Sequence, residues 1–298
     1  MVKRNIPLPQ NVLASFFYFK DQDLDAWPDL TFIGDSGAYS AWSMGVTLTT
    51  KDLAEWAIQW RHRLKWVASL DVIGNPVKSY SNWRDMVDIY GVNAVPSIHF
   101  GTNPAELDKY ARRGADLVGL GGGGMAAPTA QMRWLISVFK YAREHHPDMQ
   151  FHGWGRTSTE SRRLPFYSID SSSWTSGFRF GTVTVTDPSH GYKKMPFKTN
   201  GRDAYKPRMA KLLTSYYGMS PKKVAVSTGE TRPDIVRLAA LSEAATEHHF
   251  RMQHGPVKEP AWAVNQDAIT AGAGQRSLHL AESGATYKYL QELVRERA

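Results

Sequence analysis

A chain of 298 residues with no cysteine excludes disulfides, thiolate zinc sites and a cysteine nucleophile at once. Its hydrophobic content of 42% and aromatic content of 12% suit a sizeable core and exclude a disordered composition, and the length fits two ordinary domains or one α/β barrel. The formal charge of +8 favours a polyanionic partner. No stretch approaches the ~20 apolar residues of a membrane span, and no long apolar run follows the basic start MVKRNIPLPQ. The expectation is a soluble, cytoplasmic protein without a secretory signal.

In chain order, 11–19 (NVLASFFYF) and 31–34 (TFIG) read as strands, the second ending in Asp35-Ser36-Gly37-Ala38-Tyr39-Ser40. Thr49 and Thr50 can cap a helix to about residue 65, with Leu53, Trp56, Ala57, Trp60 and Leu64 at helical spacing. A strand at 66–70 (WVASL) ends in Asp71, a helix spans 79–90, and a strand at 93–98 ends in His99. A helix opens at Asn103-Pro104, a strand at 116–120 runs into four glycines, Gly121 to Gly124, and an amphipathic helix at 128–146 stops at Pro147. The strand 150–152 ends in Gly153-Trp154-Gly155-Arg156, a short helix lies near 158–163, and the strand 166–169 ends in Asp170. This alternation predicts a parallel α/β fold. Short connections and the lack of a GxGxxG after the first strand favour a (β/α)8 TIM-type barrel over an open dinucleotide-binding sheet.

Beyond Asp170 the pattern loosens. An exposed strand or hairpin is expected at 178–186, the last barrel strand at 224–227, a helix at 232–249, a loop at 253–275 and a final helix at 282–297. The segment 186–211 is basic, carrying Lys193, Lys194, Lys198, Arg202, Lys206, Arg208 and Lys211 against Asp187 and Asp203, with Tyr192, Phe197 and Tyr205 interleaved. One domain with a basic insertion is the simplest account.

Asp35, Asp71, His99, Asp170 and the glycine run all fall at strand ends, which a barrel gathers at one mouth. Singly, each has a local explanation: Asp170 as a helix cap, Asp35 and Asp71 as turn caps, His99 as a polar corner, the glycines as a flexible turn. Jointly they point to a site, because carboxylates crowded together are costly to keep charged and are held for chemistry or binding. Glycines also let a flat ligand approach the backbone. No phosphate-loop lysine follows them and no HExxH occurs, so neither a metal nor a cofactor is expected.

These residues resemble a known family. DSGAYS at 35–40 resembles the DSGGFQ or DSGGYQ motif of the tRNA-guanine transglycosylase superfamily, and DSSSW at 170–174 resembles the strand end that carries its nucleophilic aspartate. Between them SLD at 69–71, SIHFG at 97–101, VGLGG at 118–122 and HGWGRT at 152–157 fall in the family's motif order. The resemblance covers roughly residues 11–185 and implies a (β/α)8 barrel that swaps guanine for a 7-deazaguanine through a covalent glycosyl-enzyme. It implies Asp170 as nucleophile and Asp35 as the group that holds the base and shuttles its proton. Tyr39 would stack on the base, Asp71 would bind its polar edge, and Ser36, His99, Gly119, Leu120 and Gly121 would complete the pocket. His99 stands where the family has a glutamine, and the family's three-cysteine-one-histidine zinc subdomain cannot form. The short, zinc-free pattern looks like the DNA-modifying branch, the 7-deazaguanine DNA transglycosylases of bacteria and phages.

The implied partners are DNA, with tRNA as the alternative, and a free 7-deazaguanine base. The expected state is a monomer, in the host cytoplasm if phage-encoded. Lys193, Lys194, Lys198, Arg202, Lys206 and Arg208 would hold phosphates, and the interleaved aromatics unstacked bases. The chemistry also suits the residues themselves: an aspartate can attack an anomeric carbon while a second carboxylate moves the proton of the leaving group. A barrel glycoside hydrolase competes, against the basic charge and Tyr39. A non-catalytic binding module competes too, but has no need of Asp170 and Asp35 together.

Overall fold

The computed structural model describes residues 10–124, 126–175, 180–255 and 277–281, which fall in two compact units. The first is built on residues 11–170 around a parallel sheet. Its strands are β1 Asn11–Ser15, β2 Thr31–Asp35, β3 Leu64–Ala68, β4 Ala94–Val95, β5 Ser97–His99, β6 Leu117–Gly121, β7 Gln150–Gly153 and β8 Ser168–Ser171. A later strand, Ser277–Ala281, joins between β1 and β8, giving the order β4-β3-β2-β1-(277–281)-β8-β7-β6-β5. β1, β6 and β8 are buried throughout, as expected of parallel strands covered on both faces.

The two ends of this order, β4 and β5, are consecutive in the chain and flank Pro96. Proline has no N–H to give a ladder, so the strand is interrupted there. The Val95 carbonyl still accepts from Ser69 N at 2.9 Å and the Pro96 carbonyl from Gly119 N at 2.8 Å. The result is a mixed α/β architecture with a nearly closed, barrel-shaped parallel sheet of nine strands, compatible with the expected barrel. Helix Thr50–Gln59 is capped by the Thr49 hydroxyl, which accepts from Asp52 N at 3.1 Å, and buries Leu53, Ala54, Trp56 and Ala57. Pro76–Asp88, capped by Asn75, and Pro128–His145 are amphipathic in the same way.

Three expectations are corrected. Residues 16–19 are not strand but a short helix, Phe16–Phe19. β1 runs out of ladder at the pair Ser15↔Asp35, and a helical turn buries Phe16 and Phe19 from there. The helix begun at Thr50 stops at Gln59, and Leu64 opens β3 instead. The segment 224–227 is not a barrel strand. Pro221–Val224 is helical and Val226 makes only an isolated bridge with Asn200, because Val224 and Ala225 are buried in the core of the second unit. The last place in the barrel goes to Ser277–Ala281, which buries Leu278, His279 and Leu280. The helix expected at 282–297 and most of the loop expected at 253–275 lie outside the described residues.

The second unit is built on residues 171–254. An antiparallel hairpin pairs β9 Thr182–Asp187 with β10 Lys193–Lys198 in the register Lys193↔Asp187 to Lys198↔Thr182. Helices Pro207–Ser215 and Arg232–His254 pack with it, and Val183, Val185, Phe197, Leu213, Tyr217 and Leu238 form its core. The basic segment falls within this unit. No helix among the described residues is long and apolar enough to cross a membrane.

Candidate active site

Parallel strands put all their carboxyl ends at one end of the barrel, so Asp35 on β2, Asp71 after β3, His99 on β5, Gly121 on β6 and Asp170 on β8 share one mouth. Asp35 Oδ2 accepts from Gly37 N at 3.0 Å. Gly37 has φ 71°, and a Cβ there would lie 2.5 Å from Phe17 Cβ, so only glycine fits. Burial pushes the Asp35 carboxyl up to about 6, the charges of Asp170 and Asp71 push the same way, and the Gly37 N–H opposes them. The turn-capping role read from sequence is therefore real, and it coexists with a raised carboxyl pKa. Ser36 is buried and its hydroxyl accepts from Ala38 N at 3.4 Å, a weak contact of the same turn.

Asp170 is 7% exposed and is not a helix cap. It lies within β8, and its Oδ1 accepts from Gly155 N at 2.7 Å, fifteen residues back in the chain. The following turn is held by the Ser171 hydroxyl, which accepts from Ser173 N at 3.0 Å. His152 Nε2 lies 3.3 Å from Asp170 Oδ1, and its Nδ1 is 2.8 Å from Ser168 Oγ. The His152 ring is fully buried, edge-on to Trp66 at 4.9 Å and Trp154 at 4.2 Å. Burial holds its pKa below the ordinary value, against the pull of Asp170, so the imidazole is neutral. Arg156 is also buried, donating to Gly122 O at 2.9 Å and to Gln131 Oε1. Burial works against its charge and Asp170 supports it.

Asp71 Oδ2 lies 3.4 Å from His99 Nε2. The hydrogen bond to Asp71 raises the His99 pKa, burial opposes this, and the Asp71 charge adds to the rise. Asp71 Oδ1 is buried with no hydrogen-bond partner among the described residues. A buried acceptor left unpaired is costly, and a ligand N–H would satisfy it.

Gly119 and Gly121 carry a finding that sequence reasoning missed. A Cβ on Gly119 would lie 2.2 Å from Trp154 Nε1, and one on Gly121 2.9 Å from Trp154 Cδ1. Trp154 Nε1 donates to Ser97 Oγ at 3.0 Å and its backbone N to Leu120 O at 3.1 Å. The half-buried indole thus covers the glycines expected to face the base. Leu120 is buried in the core. Tyr39 sits on helix Ala38–Ser43 with 69% of its surface exposed, its ring 5.9 Å from that of Trp42. His152, Trp154 and Arg156 were visible in sequence only as parts of the HGWGRT motif, with no role of their own.

The six basic residues assigned to phosphates divide evenly. Lys194 pairs with Glu243 at 3.1 Å, Lys206 with Asp203 at 3.0 Å and Arg208 with buried Asp187 at 2.9 Å. Lys193, Lys198 and Arg202 are exposed. Among the described residues no group of three or more His, Asp or Glu is arranged to hold a metal ion. No protein-family model matches the chain, and no curated protein matches it in sequence.

Proposed function

We propose that this (β/α)8-type barrel is a base-exchange enzyme, replacing guanine in DNA with a 7-deazaguanine through an ester between Asp170 and C1′ of the sugar. The observation that carries this reading is the contrast between two carboxylates at one mouth. Asp170 Oδ1 accepts a hydrogen bond from Gly155 N, while Asp35 is pushed up to about 6 by burial and by its acidic neighbours. A carboxyl group raised toward neutrality suits the acid, which leaves Asp170 as the nucleophile of this reading.

A lone pair of the Asp170 carboxylate forms the bond to C1′, and the C1′–N9 bond breaks with its electron pair passing to the departing guanine. Asp35 gives that base a proton and becomes a carboxylate. The 7-deazaguanine returns the proton to Asp35, attacks C1′ through its ring nitrogen and releases Asp170. The target base is out of reach inside a duplex, so it is extruded or presented in a single strand. Asp71 Oδ1, buried and without a hydrogen-bond partner among the described residues, suits an N–H on the base edge. Lys193, Lys198 and Arg202, exposed on the second unit, suit phosphates. A chain without cysteine lacks the means to build the zinc subdomain of the tRNA enzymes, which favours DNA.

The test is incorporation of a labelled 7-deazaguanine into DNA and into tRNA by one preparation. Label in DNA alone supports the reading. Label in tRNA alone changes the substrate, and label in neither defeats the base exchange.

A further inference from the structure

We infer that His152 is a positioning residue for Asp170: with Gly155 it fixes Oδ1 and leaves Oδ2 as the attacking atom. The inference rests on the base-exchange reading and adds to it a group and an atom that the reading does not need.

A fully buried imidazole between two tryptophans is an expensive way to fill space, since a leucine there would bring no polar atoms to satisfy. Its position follows from strand pairing. His152 on β7 is the register partner of Ser168 on β8, and Asp170 is two residues further along β8, on the same face as Ser168. The imidazole therefore spans Ser168 and Asp170, with Nδ1 at 2.8 Å from one and Nε2 at 3.3 Å from the other. A hydroxyl can donate to Nδ1, which places the proton of the neutral ring on Nε2, facing the carboxylate. That Nε2–H lies 3.3 Å from Oδ1 without a well-aligned hydrogen bond among the described residues. Catalytic contacts that are long in one geometry can shorten as the reaction complex forms.

Oδ1 then has one hydrogen-bond donor, the Gly155 N–H, and faces a second N–H, on His152 Nε2, at 3.3 Å, while no hydrogen bond engages Oδ2 among the described residues. When Oδ2 bonds to C1′, Oδ1 becomes the ester carbonyl oxygen. When the incoming base displaces Asp170, the electron pair of the C1′–Oδ2 bond returns to the carboxylate and the charge spreads to Oδ1, where the two N–H groups already stand. His152 neither gives up nor accepts a proton in either step. It holds one oxygen so that the other keeps its aim.

The experiment measures single-turnover formation of the denaturation-resistant adduct on a guanine-containing single-stranded DNA oligonucleotide, in the absence of an incoming base. Wild type is compared with His152→Leu, His152→Gln and Ser168→Ala, with DNA affinity and thermal melting measured on each. His152→Leu is expected to slow adduct formation on the order of 10²-fold, the scale for losing one such donor, with DNA affinity close to wild type. His152→Gln, which keeps an N–H donor, should recover part of the loss, and Ser168→Ala should fall between Gln and wild type. Wild-type rates in His152→Leu, or a folded His152→Gln no faster than His152→Leu, overturn the positioning role and leave the base exchange standing. A wild type that forms no adduct overturns the base exchange and this inference with it.

Discussion

The indole of Trp154 occupies the place where a side chain on Gly119 would have to go: a Cβ there would stand 2.2 Å from Nε1. Glycines at the mouth of a barrel suggest room for a flat ligand, and here a flat side chain of the protein fills that room. A base that reaches the β6 backbone must displace Trp154 or stack beside it.

Gly119→Ala should therefore destabilise the protein by about 1–3 kcal/mol, the usual cost of overpacking. Trp154→Ala should relieve most of the clash, leaving a closer approach to Ser97 Oγ at 2.9 Å, so the double variant should be more stable than the sum of the singles allows. Denaturant unfolding of the four proteins measures the coupling. Additivity would mean that the indole does not hold this position in solution.

Asp35→Asn should separate stability from activity. A carboxyl whose folded pKa is raised from 3.8 to about 6 favours folding fully below the unfolded value, and that contribution is lost as pH rises through the folded one. Above pH 6 the asparagine variant should be the more stable protein, by on the order of 1–3 kcal/mol, the free energy of holding a carboxylate where the neutral acid is preferred. The advantage should vanish below about pH 4. Adduct formation by wild type, which uses the protonated acid, should fall as pH rises past about 6. A melting curve and a single-turnover rate taken across pH 4–8 test both signs.

Asp170→Asn keeps the shape and an oxygen for the Gly155 N–H but removes the carboxyl oxygen proposed to attack C1′. Exchange and the denaturation-resistant adduct should both disappear, while DNA affinity and melting temperature stay near wild type. Exchange at a substantial rate in this variant would show that another group is the nucleophile.

The basic residues should fall into two groups. Reversing the charge of Lys193, Lys198 and Arg202 should weaken DNA binding and flatten its dependence on salt, with little change in stability. Arg208→Ala should instead lower stability, by about 1–3 kcal/mol, because it takes a partner from Asp187, which is 1% exposed. Binding isotherms at several salt concentrations, beside thermal melts, distinguish the two.

The base edge is tested at Asp71 and Tyr39. Asp71→Asn should weaken binding of the free 7-deazaguanine, and Tyr39→Ala should cost about 1–3 kcal/mol, the scale of base–aromatic stacking. Calorimetric titration with the base reads both. An unchanged affinity in both variants would place the base elsewhere.

The strand ends bearing Asp35, Asp71, His99 and Asp170 were legible because apolar runs broken by a polar residue leave a local trace. What depends on facing was not. His152 and Trp154 gain their partners from which side of β7 points inward, and from the pairing of His152 with Ser168, neither of which a single sequence displays. The last barrel strand illustrates the same limit. VAVS at 224–227 is the more strand-like in composition and SLHLA at 277–281 the less, yet long-range packing sends Val224 to the second unit's core and Leu278 to the barrel sheet. The glycine run signals a demand for space, but its occupant is invisible in sequence because Trp154 lies more than thirty residues away.

Pro96 takes one backbone donor out of the strand that closes the sheet. Amide hydrogen exchange beside it is expected to be faster than in the rest of the sheet. Counting around the sheet from Pro96, Asp35 and Asp170 sit on the far side, separated by β1 and the strand Ser277–Ala281. A loss of pairing at Pro96 would fall on the side that carries Asp71 and the glycines, away from Asp35 and Asp170. The contact between Asp71 and His99 runs from the end of β3 to the end of β5, across the closure at Pro96. A base that engages Asp71 would be felt first in the exchange rates of the amides next to Pro96.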